Sequence, residues 1–395
     1  MSRAHPVILS AARTPIGKFL GGLSTLSAVE LGAVAIRGAR ERSKIQWNDV
    51  DEVIFGNVVS AGLGMAPARN SALKAGAPDT ISCYAVNKVC GSGLQAVMLA
   101  AQSIKAGDNQ VVLAGGMESM SNAPYLLRRA RTGYNYGHGQ LDDSLLTDGL
   151  ECCIEKWHMG SAAEHIARRF EVSREAMDRF ALESHRRAIG AQEASAFTAE
   201  IVPIEIKQKK GGPIVVDRDE GPRRDGSLEK LAALKPAFEP TGVVTAGNSS
   251  TLNDGAAALV VADAEFASRL ELKPLARILA YATSGVAPKD IFHAPALAIP
   301  EAVRRAGLSL DQIDLFELNE AFAAQALANL KVLALNQEKV NVFGGAIALG
   351  HPLGASGARC LVTLLNALRI REKKLGCVAL CLGGGNAVAM VVEVM

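Results

Sequence analysis

The sequence predicts a layered α/β fold made of two similar halves, with an insertion emerging from the first. Three observations carry that expectation. Strand-like and helix-like runs alternate near both ends of the chain. Short segments of the first half recur, in the same order, in the last third. A length of 395 residues also exceeds the usual size of a single hydrophobic core.

The elements follow in order. Val7-Ile-Leu-Ser10 is a short apolar strand, and the turn-rich Arg13-Thr-Pro-Ile-Gly17 follows it. Val53-Ile-Phe55 is a second strand. Leu94, Val97, Met98, Ala101 and Ile104 recur at helical spacing after Cys90, placing Gly91 and Ser92 near a helix N-terminus. Val111-Val-Leu-Ala114 is a strand ending in Gly115 and Gly116. The stretch from about residue 118 to 247 reads as an insertion of loops and a few helices. It holds the cluster Arg128, Arg129 and Arg131 and the polar, aromatic, glycine-rich run Thr132–Gln140. Ser173–Ser184 is an amphipathic helix with Ser173 as its cap and Glu175 in its first turn, and Lys207–Pro213 is a solvated turn. In the last third, Asp311–Leu318 repeats the layout of Asn48–Phe55. Gly354-Ala-Ser-Gly357 repeats Cys90-Gly-Ser-Gly93, and the strand from Val378 into Gly383 and Gly384 repeats Val111–Gly116. Duplicated halves commonly place a site at their junction, which would bring Cys90 close to residues near 319, 351 and 381.

Composition narrows the function. Hydrophobic residues make up 49% and charged residues 21% of the chain, ordinary values for a soluble enzyme. Lys plus Arg number 42 against 40 acids, a net charge of +2 that argues against nucleic acid or a membrane surface as partner. Aromatics at 5% weaken base stacking further. The seven cysteines form no CxxC pair, which argues against a disulfide framework and a structural zinc site. Met1–Ser10 lacks the apolar core of a signal peptide, and no run approaches the roughly 18 apolar residues of a membrane span. These features place the chain in a reducing, cytoplasmic setting. No GxGxxG or GxxxxGK[ST] motif supports nucleotide-cofactor chemistry.

Four segments carry the chemistry: Cys90-Gly-Ser-Gly93, Asn319-Glu-Ala-Phe-Ala323, Asn341–Gly357 with His351, and Cys381-Leu-Gly-Gly-Gly385. A thiol at a helix start feels the positive end of the dipole and unpaired N–H groups, both of which favour thiolate, the nucleophilic form. The plainer alternative is a small buried Cys beside a glycine turn, and Cys381 admits the same reading. His351 lies in a loop between Gly350 and Pro352, where little side-chain bulk bars a ligand.

These segments, with Gly247–Ala256, resemble the thiolase family over nearly the whole chain, from Ser10-Ala-Ala-Arg-Thr-Pro15 to the last strand. The pair His158-Met159 resembles that of the short-chain, acetoacetyl-CoA-forming members. The resemblance implies a five-layer αβαβα thiolase fold with residues 1–119 plus 248–272 as one half. Residues 120–247 would form a loop domain for CoA binding and tetramer contacts, and 273–395 the second half. It implies Cys90 as the nucleophile that takes the acyl group, His351 as the imidazole accepting its proton, and Cys381 as the acid/base at the acetyl methyl. It further implies one oxyanion hole from His351 with a water held by Asn319, and another from the N–H groups of Cys90 and Gly383. Leu150, His158, Met159, Arg223, Phe238, Ala246 and Ser250 would line the CoA tunnel, with Ala321 and Phe322 at its inner end. Lys230 departs from a serine common near the adenosine, and Asn386-Ala387 departs from a frequent Met-Gly.

The activity implied is interconversion of two acetyl-CoA with acetoacetyl-CoA plus CoA, without a metal or resident cofactor, by a homotetramer; CoA is itself substrate and product. Weighed beside it are a degradative 3-ketoacyl-CoA thiolase, a non-catalytic carrier on the same fold and a ketoacyl synthase-like enzyme. Cys381 before a glycine triplet disfavours the last. For the arginine cluster the expectation is a solvated or subunit-contacting loop, with attraction of the CoA 3′-phosphate as the alternative.

Overall fold

The computed structural model describes residues 5–208 and 211–395. Lys209 and Lys210 of the expected solvated turn, and Met1–Ala4 of the segment read for a leader, lie outside the described residues.

The first half contains β1 (Pro6–Arg13), α1 (Ala28–Ser43), β2 (Glu52–Gly56), α2 (Pro67–Lys74), β3 (Ser82–Val86), α3 (Ser92–Ala106) and β4 (Val111–Ser119). Between β4 and the closing strand runs the inserted stretch, with three short hairpins, α4 (Met159–Arg169) and α5 (Arg174–Glu193). The Ser173 side chain caps α5 by accepting from Ala176 N–H. β5 (Asn253–Asp263) then completes the half. The second half contains β6 (Ala276–Gly285), α6 (Pro295–Arg305), β7 (Leu315–Leu318), α7 (Ala323–Leu333), α8 (Leu353–Ile370), β8 (Leu375–Leu382) and β9 (Asn386–Val394).

The two halves repeat strand for strand. In the first, the order is β1-β5-β4-β2-β3, antiparallel for the first two pairings and parallel for the next two. In the second, β6-β9-β8-β7 follows the same directions, and Val340 pairs with Phe316 in the place of a fifth strand. The sheets meet edge to edge where Val7 and Ile8 of β1 oppose Arg277 and Ala276 of β6.

Both faces of the first sheet are buried, and side-chain alternation sorts them. Ala258, Val260 and Ala262 of β5 pack on α1, whereas Ala257, Leu259 and Val261 face the central helices α3 and α8. With α6 on the far face of the second sheet, the layers read helix, sheet, helix, sheet, helix. α3 begins where expected, and its periodic residues Leu94, Val97, Met98, Ala101 and Ile104 are all buried.

The central layer is tight because it has no side chains where it crosses. A Cβ on Gly116 of β4 would overlap the carbonyl oxygen of Gly354 on α8. The N-termini of α3 and α8 are therefore drawn together, one from each half, and the functional residues lie there.

Candidate active site

Cys90 sits on a three-residue turn between Lys88 and the first residue of α3. Gly91 N–H donates to Lys88 O at 3.1 Å, and Ser92 N–H donates to Val89 O at 3.0 Å. The Ser92 hydroxyl closes the turn, accepting from Lys88 N at 2.8 Å and donating to Val89 O at 2.6 Å. Val89 is held at φ 46°, a left-handed conformation that a β-branched residue rarely adopts and that costs roughly 1–3 kcal/mol. Gly91 admits no side chain, since a Cβ would overlap Leu382 Cδ2. The turn holds Cys90 half-buried, with its own N–H and that of Gly383 directed at the thiol.

The helix dipole and N–H donors that favour thiolate are opposed by burial. Removal from water pushes the Cys90 thiol up to about 12, the nearby Glu118 carboxylate adds to the shift, and the two N–H groups offset only part of it. At neutral pH Cys90 is a thiol, and its activation requires a base.

His351, buried immediately before α8, lines the same cavity as Cys90. Its N–H donates to Asn253 Oδ1 at 2.9 Å, its Nδ1 lies 2.6 Å from Ser356 Oγ, and its Nε2 lies 3.4 Å from Asn319 Nδ2. Asn319 is fixed at the end of β7 by its N–H donating to Ala379 O at 3.0 Å. Burial, with Arg359 as a second cause, pushes His351 down to about 3, so the imidazole is neutral.

Cys381 occupies the end of β8, fully buried, and its thiol is held well above its ordinary value by burial and then by Cys90. The two sulfurs influence each other directly, and with His351 and Gly383 they share one wall of a cavity.

A buried carboxylate fastens this junction. Glu118 accepts from Val58 N, Val59 N and Asn57 Nδ2 at 3.1, 3.2 and 2.9 Å on its own half, and from Gly354 N at 2.8 Å on the other. Burial raises its pKa to about 7, against the lowering by those donors.

The cavity has a volume of about 550 Å³ and runs from this wall to the surface. Leu150, His158, Met159, Arg223, Phe238, Ala246 and Ser250 all line it, as do Ala321 and Phe322. Asn319 does not line it and meets His351 at Nε2. The His158 and Phe238 rings stack with centroids 4.8 Å apart, and Phe322 meets Phe238 edge-on at 6.1 Å. His158 Nδ1 accepts from Gly160 N at 2.9 Å. At the outer end, Arg223 and Lys18 line the mouth and depress the buried His185 to about 4 together with its burial, the larger cause. The result is a narrow apolar channel with cations outside and two thiols and an imidazole inside, dimensions and chemistry suited to a long thioester.

Comparison with known proteins decides the family. The profile of "Thiolase, N-terminal domain" matches residues 6–265, and that of "Thiolase, C-terminal domain" matches residues 272–394. The chain belongs to the thiolase family. Acetyl-CoA acetyltransferase from Escherichia coli K12 is 54% identical over 388 residues, covering 98% of each chain. The protein of that name from Cupriavidus necator is 50% identical over 387 residues, again covering 98% of each. The crystal structure of the Bacillus anthracis acetyl-CoA acetyltransferase superposes with a TM-score of 0.98 at 44% identity, covering 100% of both chains.

Within this thiolase, Arg128, Arg129 and Arg131 lie in an exposed loop away from the channel lining. Arg128 pairs with Asp142, and Arg129 sits over Tyr134. Lys230 is likewise off the lining, and its Nζ bonds Asp225 Oδ2 at 2.8 Å. The sequence reading assigned no role to Asn253, Glu118 or Ser356. Asn253 lay within a quoted motif and Ser356 within a repeated one, so both signals were available; Glu118 carried none, because its partners, three backbone N–H groups and the Asn57 amide, are distant in sequence.

Proposed function

We propose that this chain is an acetyl-CoA C-acetyltransferase, interconverting two acetyl-CoA with acetoacetyl-CoA and CoA through an acetyl-Cys90 intermediate. The observation that carries the reading is the convergence of Cys90, His351, Cys381 and Gly383 on one wall at the inner end of an apolar channel. The names of relatives at about half identity over the full chain support the same reaction.

The geometry suits two half-reactions. In the first, Cys90 passes its proton to His351 Nε2 as the sulfur bonds to the thioester carbonyl carbon. The N–H groups of Cys90 and Gly383 receive the developing oxyanion, and CoA leaves with the proton. In the second, Cys381 passes its own proton to His351 as it takes one from the methyl of another acetyl-CoA; the carbanion attacks the acetyl-Cys90 carbonyl, the bond from that carbon to Cys90 sulfur breaks, and the sulfur recovers the proton from His351. A covalent intermediate divides one difficult step into two. Because burial opposes charge on both thiols and on the imidazole, protons move in concert with bond formation instead of resting as an ion pair.

Asn319 Nδ2 lies 3.4 Å from His351 Nε2, in keeping with a role in the enolate's oxyanion hole. His158, Met159, Phe238 and Phe322 form the channel for pantetheine, with Leu150, Ala246, Ser250 and Ala321 beside them and Arg223 near the phosphates. The reaction needs no resident metal or cofactor, since thiols, imidazole and backbone N–H groups supply every acid, base and donor. We place the enzyme in the cytoplasm, in acyl-CoA and fatty acid metabolism, as a homotetramer. Seven free cysteines suit a reducing compartment. The exposed edge strand β3 and the exposed Tyr125, Leu127, Tyr136 and Leu141 offer apolar surface for subunit contacts.

Steady-state cleavage of acetoacetyl-CoA against a C8 3-ketoacyl-CoA tests the reading. Acetoacetyl-CoA is expected to have the higher kcat/KM; a preference for the C8 substrate would overturn it in favour of a degradative thiolase.

A further inference from the structure

Two segments that form the mouth of the channel are stitched together by their backbones. One runs from Ile16 to Gly22, and its Gly17 and Lys18 pair with Asp254 and Asn253 of β5. The other is the strap from Asp219 to Arg223 in the inserted stretch. Asp219 is paired to the buried Arg13 at 2.7 and 2.9 Å and also accepts from Ile16 N at 2.8 Å. Glu220 N–H donates to Ile16 O at 3.1 Å, and its carboxylate accepts from Lys18 N at 2.7 Å and from Gly22 N at 3.0 Å. Arg223 N–H donates to Nδ1 of His185 on α5 at 3.2 Å. These contacts fix the backbone of both segments and leave the side chains of Lys18 and Arg223 on the channel lining. Both cations act on one ring: burial first, then Arg223 and Lys18, push His185 down to about 4, so at neutral pH it adds no third charge.

Other cations around the strap are already matched. Arg13 pairs with Asp219 and Glu200, Arg224 with Glu193, and Lys230 with Asp225. Among the described residues, neither Lys18 Nζ nor the Arg223 guanidinium has a hydrogen bond or an ion pair. The carboxylates beside them are committed, Glu220 to the N–H groups of Lys18 and Gly22, and Asp225 to Lys230. Among the described residues of the lining, Lys18 and Arg223 are the only lysine and arginine, and no Asp or Glu joins them. Two like charges held at one narrow mouth repel each other, and an anion entering between them relieves that repulsion and gains charge-assisted hydrogen bonds. We propose that Lys18 is a further substrate-binding residue, which closes with Arg223 on the phosphate groups at the nucleotide end of CoA; this rests on the reading of the channel as the CoA site. A compact ammonium on a flexible stem suits that task, since a phosphate oxygen can be met from many directions. The outer, phosphorylated end of the thioester is then held by charge, and its inner end by the apolar wall.

Comparing kcat/KM for acetoacetyl-CoA with that for acetoacetyl-pantetheine, which lacks the phosphorylated nucleotide, reads this contact directly. The preference for the CoA thioester is expected to fall about 3- to 10-fold in Lys18→Ala, chiefly through KM. Lys18→Glu should lower it about 10- to 100-fold, and Lys18→Arg should restore most of it. Raising KCl from about 20 to about 200 mM should erode the preference less steeply in Lys18→Ala than in the wild type, because one screened charge is gone. The Lys18 side chain is exposed, so these variants are expected to keep the fold, with circular dichroism as the check. A Lys18→Ala enzyme that keeps the wild-type preference, or that loses both substrates equally, would overturn the proposal. Calorimetric titration with CoA separates this contact from the reaction itself. If the wild type cleaved no acetoacetyl-CoA, the reading of the reaction would fall, whereas weaker CoA binding by Lys18→Ala would still support the contact and equal binding would overturn it.

Discussion

The starts of α3 and α8 are matched pieces of a duplicated frame that do different work. Each follows a glycine-containing turn, each enters the central layer, and each carries a serine three residues into the matching tetrapeptide, Ser92 and Ser356. In the first half the serine binds backbone: Ser92 ties Lys88 N to Val89 O and holds the strained turn that presents Cys90. In the second half the serine binds a side chain, the His351 ring. The ends of β4 and β8 diverge in the same way. β4 ends near Glu118, whose carboxylate ties the halves together, and β8 ends in Cys381, which faces the channel. Duplication supplies two helix starts and two strand ends around one point. Reaction chemistry needs only one of each kind of group there, so one copy became reagent and the other support.

Breaking the reagents should matter most. Cys90→Ala is expected to remove acetoacetyl-CoA thiolysis by about 10⁴-fold or more, with an unchanged far-UV circular dichroism spectrum, because no acyl-enzyme can form. Cys381→Ser should slow full turnover about 10²- to 10⁴-fold, whereas acetylation of Cys90 by acetyl-CoA, followed by mass, should stay within tenfold of wild type. Equal losses in both assays would erase the division between the cysteines.

Changes to the frame should cost stability before chemistry. Gly116→Ala places a methyl group against the Gly354 carbonyl, where no flexible side chain can yield. A loss of about 1–3 kcal/mol in urea unfolding, with lower kcat, is expected. Ser92→Ala leaves the Lys88 N–H without its partner and should cost roughly 1 kcal/mol. The gentlest perturbation is pH. With Cys90 near 12 and raised relative to an unfolded thiol, the thiolate fraction should climb tenfold per pH unit. Iodoacetamide labelling of Cys90 should therefore rise without a plateau from pH 6 to 9. A plateau below pH 8 would reveal a resting thiolate, with the helix dipole and not burial in control of the sulfur.

Much of this frame was legible from residue order alone. The strands at 7–10, 53–55 and 111–114 and the α3 stripe read correctly because apolar period and glycine boundaries are local signals. The three repeated segments fall on structurally equivalent elements, since each half keeps the same strand order. The convergence of Cys90, His351 and Cys381 followed from that repeat together with the thiolase-like motifs. The dipole and N–H donors at the start of α3 are visible in sequence, whereas the desolvation that raises the Cys90 thiol depends on what packs around it. Glu118 and Asn253 escaped for a related reason: their partners are backbone groups whose approach is set by the crossing of β4, β5 and α8.

The central claim is that one cysteine carries the acyl group and the other does not. Brief exposure of the enzyme to labelled acetyl-CoA, followed by acid quench, proteolysis and mass mapping, tests it most directly. The account predicts a single acetyl group on Cys90, present also in Cys381→Ser, with Cys381 of the wild type recovered as free thiol. An acetyl group mapped to Cys381, or a Cys90→Ala enzyme that still acquires one, would contradict it.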